Sequence, residues 1–204
     1  LMFLMQHDSD GFNRWDAGQN LALDVIYQVM EQLEDGEKPD VDARLISAYR
    51  NVLKRDDIDY SMLSKMLVLP GVSYIAETQD IIDIQAISKA RSIVQTVLAN
   101  ALAKDLAALY LKLNVKQEYL PEPTQMAQRG LKNAALSYLL KTDNKDYCDL
   151  AMAQFNSSDN MTDSMASLAS LVNSEHKAEA EVSLASFYKK WQAEPLVVNQ
   201  WLAV

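Results

Sequence analysis

The stretch Ile84–Asn114, IQAISKARSIVQTVLANALAKDLAALYLKLN, decides the fold class. Along it Ile87, Ala90, Val94, Val97 and Ala101 form one apolar stripe at helical spacing, and Leu98, Leu102, Leu106, Leu109 and Leu113 form a second beside it. Neither Gly nor Pro interrupts the run, and Asp83 stands where an N-cap belongs. Such a helix is about 46 Å long at 1.5 Å per residue, comparable to the width of a compact domain of this length. Two apolar faces predict packing on more than one neighbour, so this helix is expected to be the central strut.

Working outward, the five prolines (Pro39, Pro70, Pro121, Pro123 and Pro195) fall between stretches of helical periodicity and interrupt none of them. Proline lacks an N–H and clashes with the preceding turn, so this placement marks helices joined by short loops. Upstream, the pattern predicts helices over 11–34, 41–54 capped by Asp40, 60–68 capped by Asp59, and 72–78. Downstream it predicts 125–141, 145–156, 161–173, 175–192 and 196–203, with Met161, Met165, Leu168 and Val172 on one face and Ala180, Leu184, Phe187 and Trp191 on another. The expected fold is therefore all-α: about ten helices in an antiparallel, HEAT-like or superhelical bundle. No fixed-period repeat is visible in the sequence itself. Only Leu1–Met5 reads as a possible short strand, so residues 1–9 are expected to be a remnant of a preceding β-rich domain or a linker, and 10–204 a truncated helical domain.

Composition removes several function classes. The 204 residues carry 19 Lys+Arg against 28 Asp+Glu, a formal net charge of −9, which opposes binding to nucleic acid or to an anionic bilayer. A single Cys excludes a disulfide framework. No stretch reaches the roughly 18 uninterrupted apolar residues of a membrane span; the most apolar region, Ile93–Leu113, holds Gln95, Asn100, Lys104 and Asp105.

Residues able to carry chemistry are few. The two histidines, His7 and His176, have no companion ligand at i+4, so no HExxH or other closed zinc set is expected. His176, between Glu175 and Lys177, reads as a solvated side chain, and Cys148, without a local His, as a buried structural thiol. Asp8, Asp10 and Gly11 imitate part of a calcium loop, but position twelve is Gln19 rather than Glu, and capping explains them better. Asp56, Asp57 and Asp59 precede a helix, where carboxylates favour the positive end of its dipole. The glycines fit neither GxGxxG nor P-loop spacing. No catalytic, cofactor-binding or metal-binding residue is expected in this chain.

Five collinear segments nevertheless resemble one family. They are FNRWDAGQ at Phe12–Gln19, LPGVSYIAETQDIIDIQAISKAR at Leu69–Arg91, RGLKNAALSYL at Arg129–Leu139, NMTDSMASLASLV at Asn160–Val172, and FYKKW with LVVNQW within Phe187–Trp201. Together they resemble the C-terminal helical region of bacterial aminopeptidase N, the zinc-dependent alanyl aminopeptidases. The resemblance implies that the chain is a non-catalytic part of a metallo-aminopeptidase that removes N-terminal residues from peptides, walling off the substrate cavity. It implies zinc in the parent protein but none bound here, because HExxH and the amine-binding GxMEN loop are absent from these residues. Implied partners are the catalytic and β domains of the same polypeptide and peptide substrates, with no nucleic acid and no membrane; the implied compartment is the cytoplasm. By itself the chain is expected to be inactive. The alternatives are a free-standing helical scaffold that binds another protein along a groove, and a hydrolase using Cys148.

Overall fold

The computed structural model describes residues 1–204 as eleven α-helices with no strand. They are α1 (Met2–His7), α2 (Gly11–Glu34), α3 (Ala43–Leu53), α4 (Tyr60–Met66), α5 (Val72–Glu77), α6 (Ile84–Leu113), α7 (Pro123–Leu139), α8 (Lys145–Ser157), α9 (Met161–Val172), α10 (Lys177–Trp191) and α11 (Pro195–Leu202), with a 3-10 turn at Leu140–Thr142. The chain divides into two compact units, Leu1–Asp105 and Leu106–Val204.

Local chemistry explains most helix ends. Asp10 accepts from the Phe12 and Asn13 N–H groups, Asp59 from Met62, Asp83 from Gln85 and Ala86, and Asn160 from Asp163. Each such cap contributes about 1 kcal/mol by satisfying an orphan donor. Helix α2 stops at Gly36, whose φ of +72° suits a residue without a Cβ. Helix α7 starts at Pro123, two residues earlier than the sequence predicts, because proline at the first helical position sacrifices only an N–H that has no partner there anyway.

Two expectations are corrected. Asp42, not Asp40, caps α3: its carboxylate accepts from the Arg44 N–H at 2.8 Å, while the Asp40 N–H donates to Gln32 Oε1 and Val41 is buried. The predicted strand at Leu1–Met5 is instead helix α1. With no strand anywhere in the chain to pair with, an extended segment would leave its backbone unsatisfied. As a helix it closes Met5 N–H to Leu1 O at 2.9 Å and Asp8 N–H to Leu4 O at 3.0 Å. Helix α1 then packs on α2 and α3, with Met5 fully buried over Gly18.

In the first unit α2 packs on α3 and α4, around a core of Ile26, Val29, Leu45, Tyr49, Val52 and Ile75. Arginines stitch loops to helices here: Arg91 Nε donates to Pro70 O at 2.8 Å, and Arg50 donates to Ala101 O at 2.7 Å. In the second unit α8 packs on α9 and α10, α7 on α9, and α10 on α11, around Leu131, Leu136, Leu139, Leu168, Leu171 and Phe187. On α6 the buried positions are Ile87, Ala90, Val94, Leu98, Ala99, Leu102, Leu106, Tyr110 and Leu113. Val97, Ala101 and Leu109 are only half-buried, so the two expected stripes resolve into one seam with softer flanks. On α9 the register also differs from expectation: Asp163, Ser167, Leu168, Ser170 and Leu171 face inward, whereas Met161, Met165 and Val172 lie at the edge. Polar residues take the inner face there because hydrogen bonds await them.

Candidate functional site

The inward polar face of α9 meets the inward polar face of α7 in a buried ion pair. Lys132 Nζ lies 2.8 Å from Asp163 Oδ2, and the two side chains are 8% and 9% exposed. Both charges sit where apolar residues are expected: Lys132 precedes Ala135, Leu136 and Leu139 by three, four and seven residues, on the stripe that forms the core. A buried charge is tolerated when its remaining hydrogen-bonding capacity is filled. Asn133 Nδ2 donates to Asp163 Oδ1 at 2.9 Å, and Asn160 Nδ2 to Oδ2 at 3.3 Å. Gln154 of α8 completes the network, donating to Asn133 Oδ1 at 2.8 Å and Ser167 Oγ at 2.9 Å while accepting from the Tyr110 hydroxyl at 3.0 Å. Burial, with the nearby Asp163 charge as a lesser cause, pushes the Tyr110 phenol up to about 12, so it stays a donor at neutral pH.

The pair lines two adjoining depressions that share Val115, Gln117, Lys132, Asp159 and Asp163. The wider has a volume of about 410 Å³ and reaches Ser157 and Ser158; the narrower, about 70 Å³, ends at Tyr119, Gln125 and Arg129. Arg129 is 8% exposed and stacks on the Tyr119 ring at 4.8 Å. It donates to Gln125 Oε1 at 3.1 Å and to Leu120 O at 3.5 Å but forms no ion pair, and its Nε is buried without a partner. Lys132 is neutralised in place and Arg129 is not. The narrower depression thus presents a buried guanidinium without an ion-pair partner beside the amide side chains of Gln117, Gln125 and Gln128, with Asp159 also on its lining, an arrangement that can receive a carboxylate or a peptide carbonyl.

Arg129, Lys132 and Asn133 come from RGLKNAALSYL, and Asn160 and Asp163 from NMTDSMASLASLV. The structure brings these two segments together at one ion pair. Sequence reading missed that role; the available signal was a Lys on an otherwise apolar helical stripe. Elsewhere capping accounts for the carboxylates: Asp10 and Asp59 cap helices, Asp8 accepts from the Asp10 N–H at 2.8 Å, and Asp57 pairs with Arg55. The Arg55 guanidinium, with Arg14 behind it, holds the Asp57 carboxyl well below the usual range. His7 lies at the surface against the Phe3 ring.

His176 departs from expectation. It is the N-cap of α10, its side chain is 11% exposed, and its Nε2 is buried without a hydrogen-bond partner. The chain brings Cys148, His176 and Glu179 together, with one donor atom from each within 4.8 Å of the others. Spacing along the sequence gave Cys148 no histidine; the packing of α10 on α8 supplies one. Burial pushes the Cys148 thiol up, against the opposing pull of Lys145, so the group is a protonated thiol rather than a ready nucleophile. Nor does this donor set match the zinc centre that the resemblance implies for a parent enzyme, which needs two histidines and a glutamate; no step of peptide hydrolysis is assigned to these residues.

Helices that pack chiefly on near neighbours in sequence, unit by unit, define an all-helical repeat domain. The whole chain, residues 1–204, matches the family described as a domain of unknown function (DUF3458_C) with ARM repeats, and the chain belongs to that family. It is 33% identical over 201 residues to aminopeptidase N of Escherichia coli K12, a match covering 98% of this chain and 23% of that protein. It is 29% identical over 204 residues to aminopeptidase N of Haemophilus influenzae, covering 100% of this chain and again 23% of the relative. Among solved structures, Legionella pneumophila aminopeptidase A in complex with aspartic acid superposes with a TM-score of 0.80 at 27% identity, over 98% of this chain and 24% of that one. The chain thus spans about a quarter of the length of the aminopeptidases it resembles and is similar to their C-terminal helical domain. No helix is long and apolar enough to cross a membrane.

Proposed function

We propose that this chain serves as the non-catalytic helical domain of a cytoplasmic zinc metallo-aminopeptidase that removes N-terminal residues from peptides, and that it walls the cavity in which those peptides bind. The observation that carries this reading is the similarity to aminopeptidases over essentially the whole chain while it spans only 23% of their length. In the parent protein a zinc held outside these residues would activate the attacking water. The catalytic and β domains of the same polypeptide are the partners of this helical wall.

The polar cleft supports the assignment in detail. A wall facing extended peptides has to meet carbonyls and a terminal carboxylate, and Arg129, anchored on Tyr119 without a carboxylate of its own, offers them a desolvated cation. In the full-length polypeptide, Arg129→Ala is expected to change the ratio of kcat/KM between long and short peptides, and Arg129→Lys to recover part of the change. A ratio that does not move in either variant removes Arg129 from the peptide-facing wall. The 204-residue chain alone, supplied with zinc, is expected to hydrolyse no aminoacyl amide; turnover that persists through repurification and scales with chain concentration would place the catalytic machinery here instead.

A further inference from the structure

The corner where α8 meets the start of α10 holds a group of side chains that the proposed function does not use. We propose that Cys148, His176 and Glu179 form a binding site for a divalent transition metal of the zinc type, with water completing its shell. The three residues offer one sulfur, one imidazole nitrogen and one carboxylate oxygen within 4.8 Å of one another. Asp143 Oδ1 lies 3.9 Å from His176 Nε2, on a residue held in the left-handed region at φ +53°, a conformation that non-glycine residues adopt infrequently.

Three physical features favour a metal over simple packing. The first is the mixed donor set: thiolate and imidazole select zinc-like ions over calcium or magnesium, which take oxygen ligands. The second is distance. A tetrahedral zinc shell with bonds of about 2.0 to 2.3 Å places its donor atoms about 3.3 to 3.8 Å apart. Donors already gathered within 4.8 Å need to close by about an ångström, which is within reach of the partly exposed Glu179 side chain. The third is the unpartnered His176 Nε2, a buried polar atom of the kind that is ordinarily satisfied. The three residues come from α8 and the start of α10, so a bound ion would tie those two helices together.

A cation is already held at the rim. Lys145 Nζ lies 2.6 Å from Glu179 and 3.0 Å from Asp149, on a side chain that is 59% exposed. When the metal takes Glu179, this ammonium stays with Asp149. Binding breaks the Cys148 S–H bond, releases that proton to solvent and forms the sulfur–metal bond. The Cys148 thiolate and the Glu179 and Asp149 carboxylates then balance the doubly charged ion and the Lys145 ammonium.

The test is a cobalt(II) titration of the reduced 204-residue chain, which needs no peptide hydrolysis and so stands or falls separately from the proposed function. The expected result is one equivalent bound, an intense near-ultraviolet thiolate-to-cobalt absorption, visible bands of tetrahedral intensity, and displacement of both by zinc. Cys148→Ser should abolish the near-ultraviolet band. His176→Gln and Glu179→Gln should weaken binding by about tenfold or more, with helical circular dichroism unchanged. Absence of the band in the unaltered chain, its survival in Cys148→Ser, or indifference of the affinity to both His176→Gln and Glu179→Gln overturns the site. Because Glu179 is partly exposed, its variant keeps the test decisive should Cys148→Ser fail to fold.

Discussion

Asp163→Asn is the substitution that most directly tests how the second unit is held together. Asp163 accepts three hydrogen bonds through its two carboxylate oxygens: from Lys132 at 2.8 Å, Asn133 at 2.9 Å and Asn160 at 3.3 Å. An asparagine keeps the shape, but it loses the charge and turns one acceptor into a donor. Whichever way the amide is oriented, its NH2 meets either the Asn133 amide or the Lys132 ammonium. Lys132 is left buried and uncompensated, at a cost of about 3 to 5 kcal/mol, a large part of a typical stability of about 5 to 15 kcal/mol. For a chain of this length each kcal/mol shifts Tm by about 2 to 4 °C, so the expected fall is about 6 to 20 °C. Of the three tryptophans, Trp191 and Trp201 lie in the second unit and Trp15 in the first. In a Trp15→Phe background, therefore, fluorescence reports the unit that holds the pair, and circular dichroism reports the whole chain. Lys132→Met combined with Asp163→Asn removes both charges and should recover at least half of the loss. A decrease under about 1 kcal/mol, the size of an exposed ion pair, or a double variant no better than Asp163→Asn alone, would show that the pair is not the buried, mutually dependent unit inferred here.

Leu102 is 1% exposed and Leu106 fully buried on the α6 seam, so Leu102→Asp or Leu106→Asp buries a lone carboxylate and should leave the chain unfolded by circular dichroism at room temperature; a variant melting like the parent would move the core elsewhere. Raising the pH should destabilise the chain through its buried phenols. In the unfolded chain tyrosine ionises near pH 10. In the folded chain burial pushes Tyr110 up to about 12, and it pushes Tyr49 up as well, against the opposing charge of Arg91. Above pH 10 the unfolded state gives up protons that the folded state keeps, so the stability these two residues contribute is intact below that pH and declines as the pH climbs towards 12. Denaturant midpoints should fall over that window, less steeply in Tyr110→Phe; a midpoint that stays flat to pH 12 contradicts the burial of both phenols. Any hydrolytic activity found in this chain should survive Cys148→Ala, since the thiol is held protonated; loss of turnover would revive it as a nucleophile.

Ten of the eleven helices were legible in the sequence because the signals that specify them are local. Proline excludes itself from helix interiors, Asp and Asn satisfy the first N–H groups, and apolar residues at a period of 3.6 mark the buried side. The errors fall where local signals are ambiguous. LMFLM is apolar throughout and shows no period, so only the surface presented by α2 and α3 decides that residues 2–7 are helical. Asp40 and Asp42 are equivalent as caps by composition, and the burial of Val41 between them decides for the second.

What the amino-acid order determined by itself is the class of fold, the positions of nearly all helices, the family and the acidic character of the surface, since each depends on neighbours within a few turns or on composition alone. The tertiary structure decided which polar residues face inward. Lys132 and Asp163 are 31 positions apart, and Cys148 and His176 belong to different helices. A charge or a thiol acquires its chemistry from the partner that packing places within a few ångströms, and separation along the chain says nothing of that distance. The ion pair, the Arg129 guanidinium without an ion-pair partner and the gathered donors around His176 therefore became visible only once α7, α8, α9 and α10 were in place.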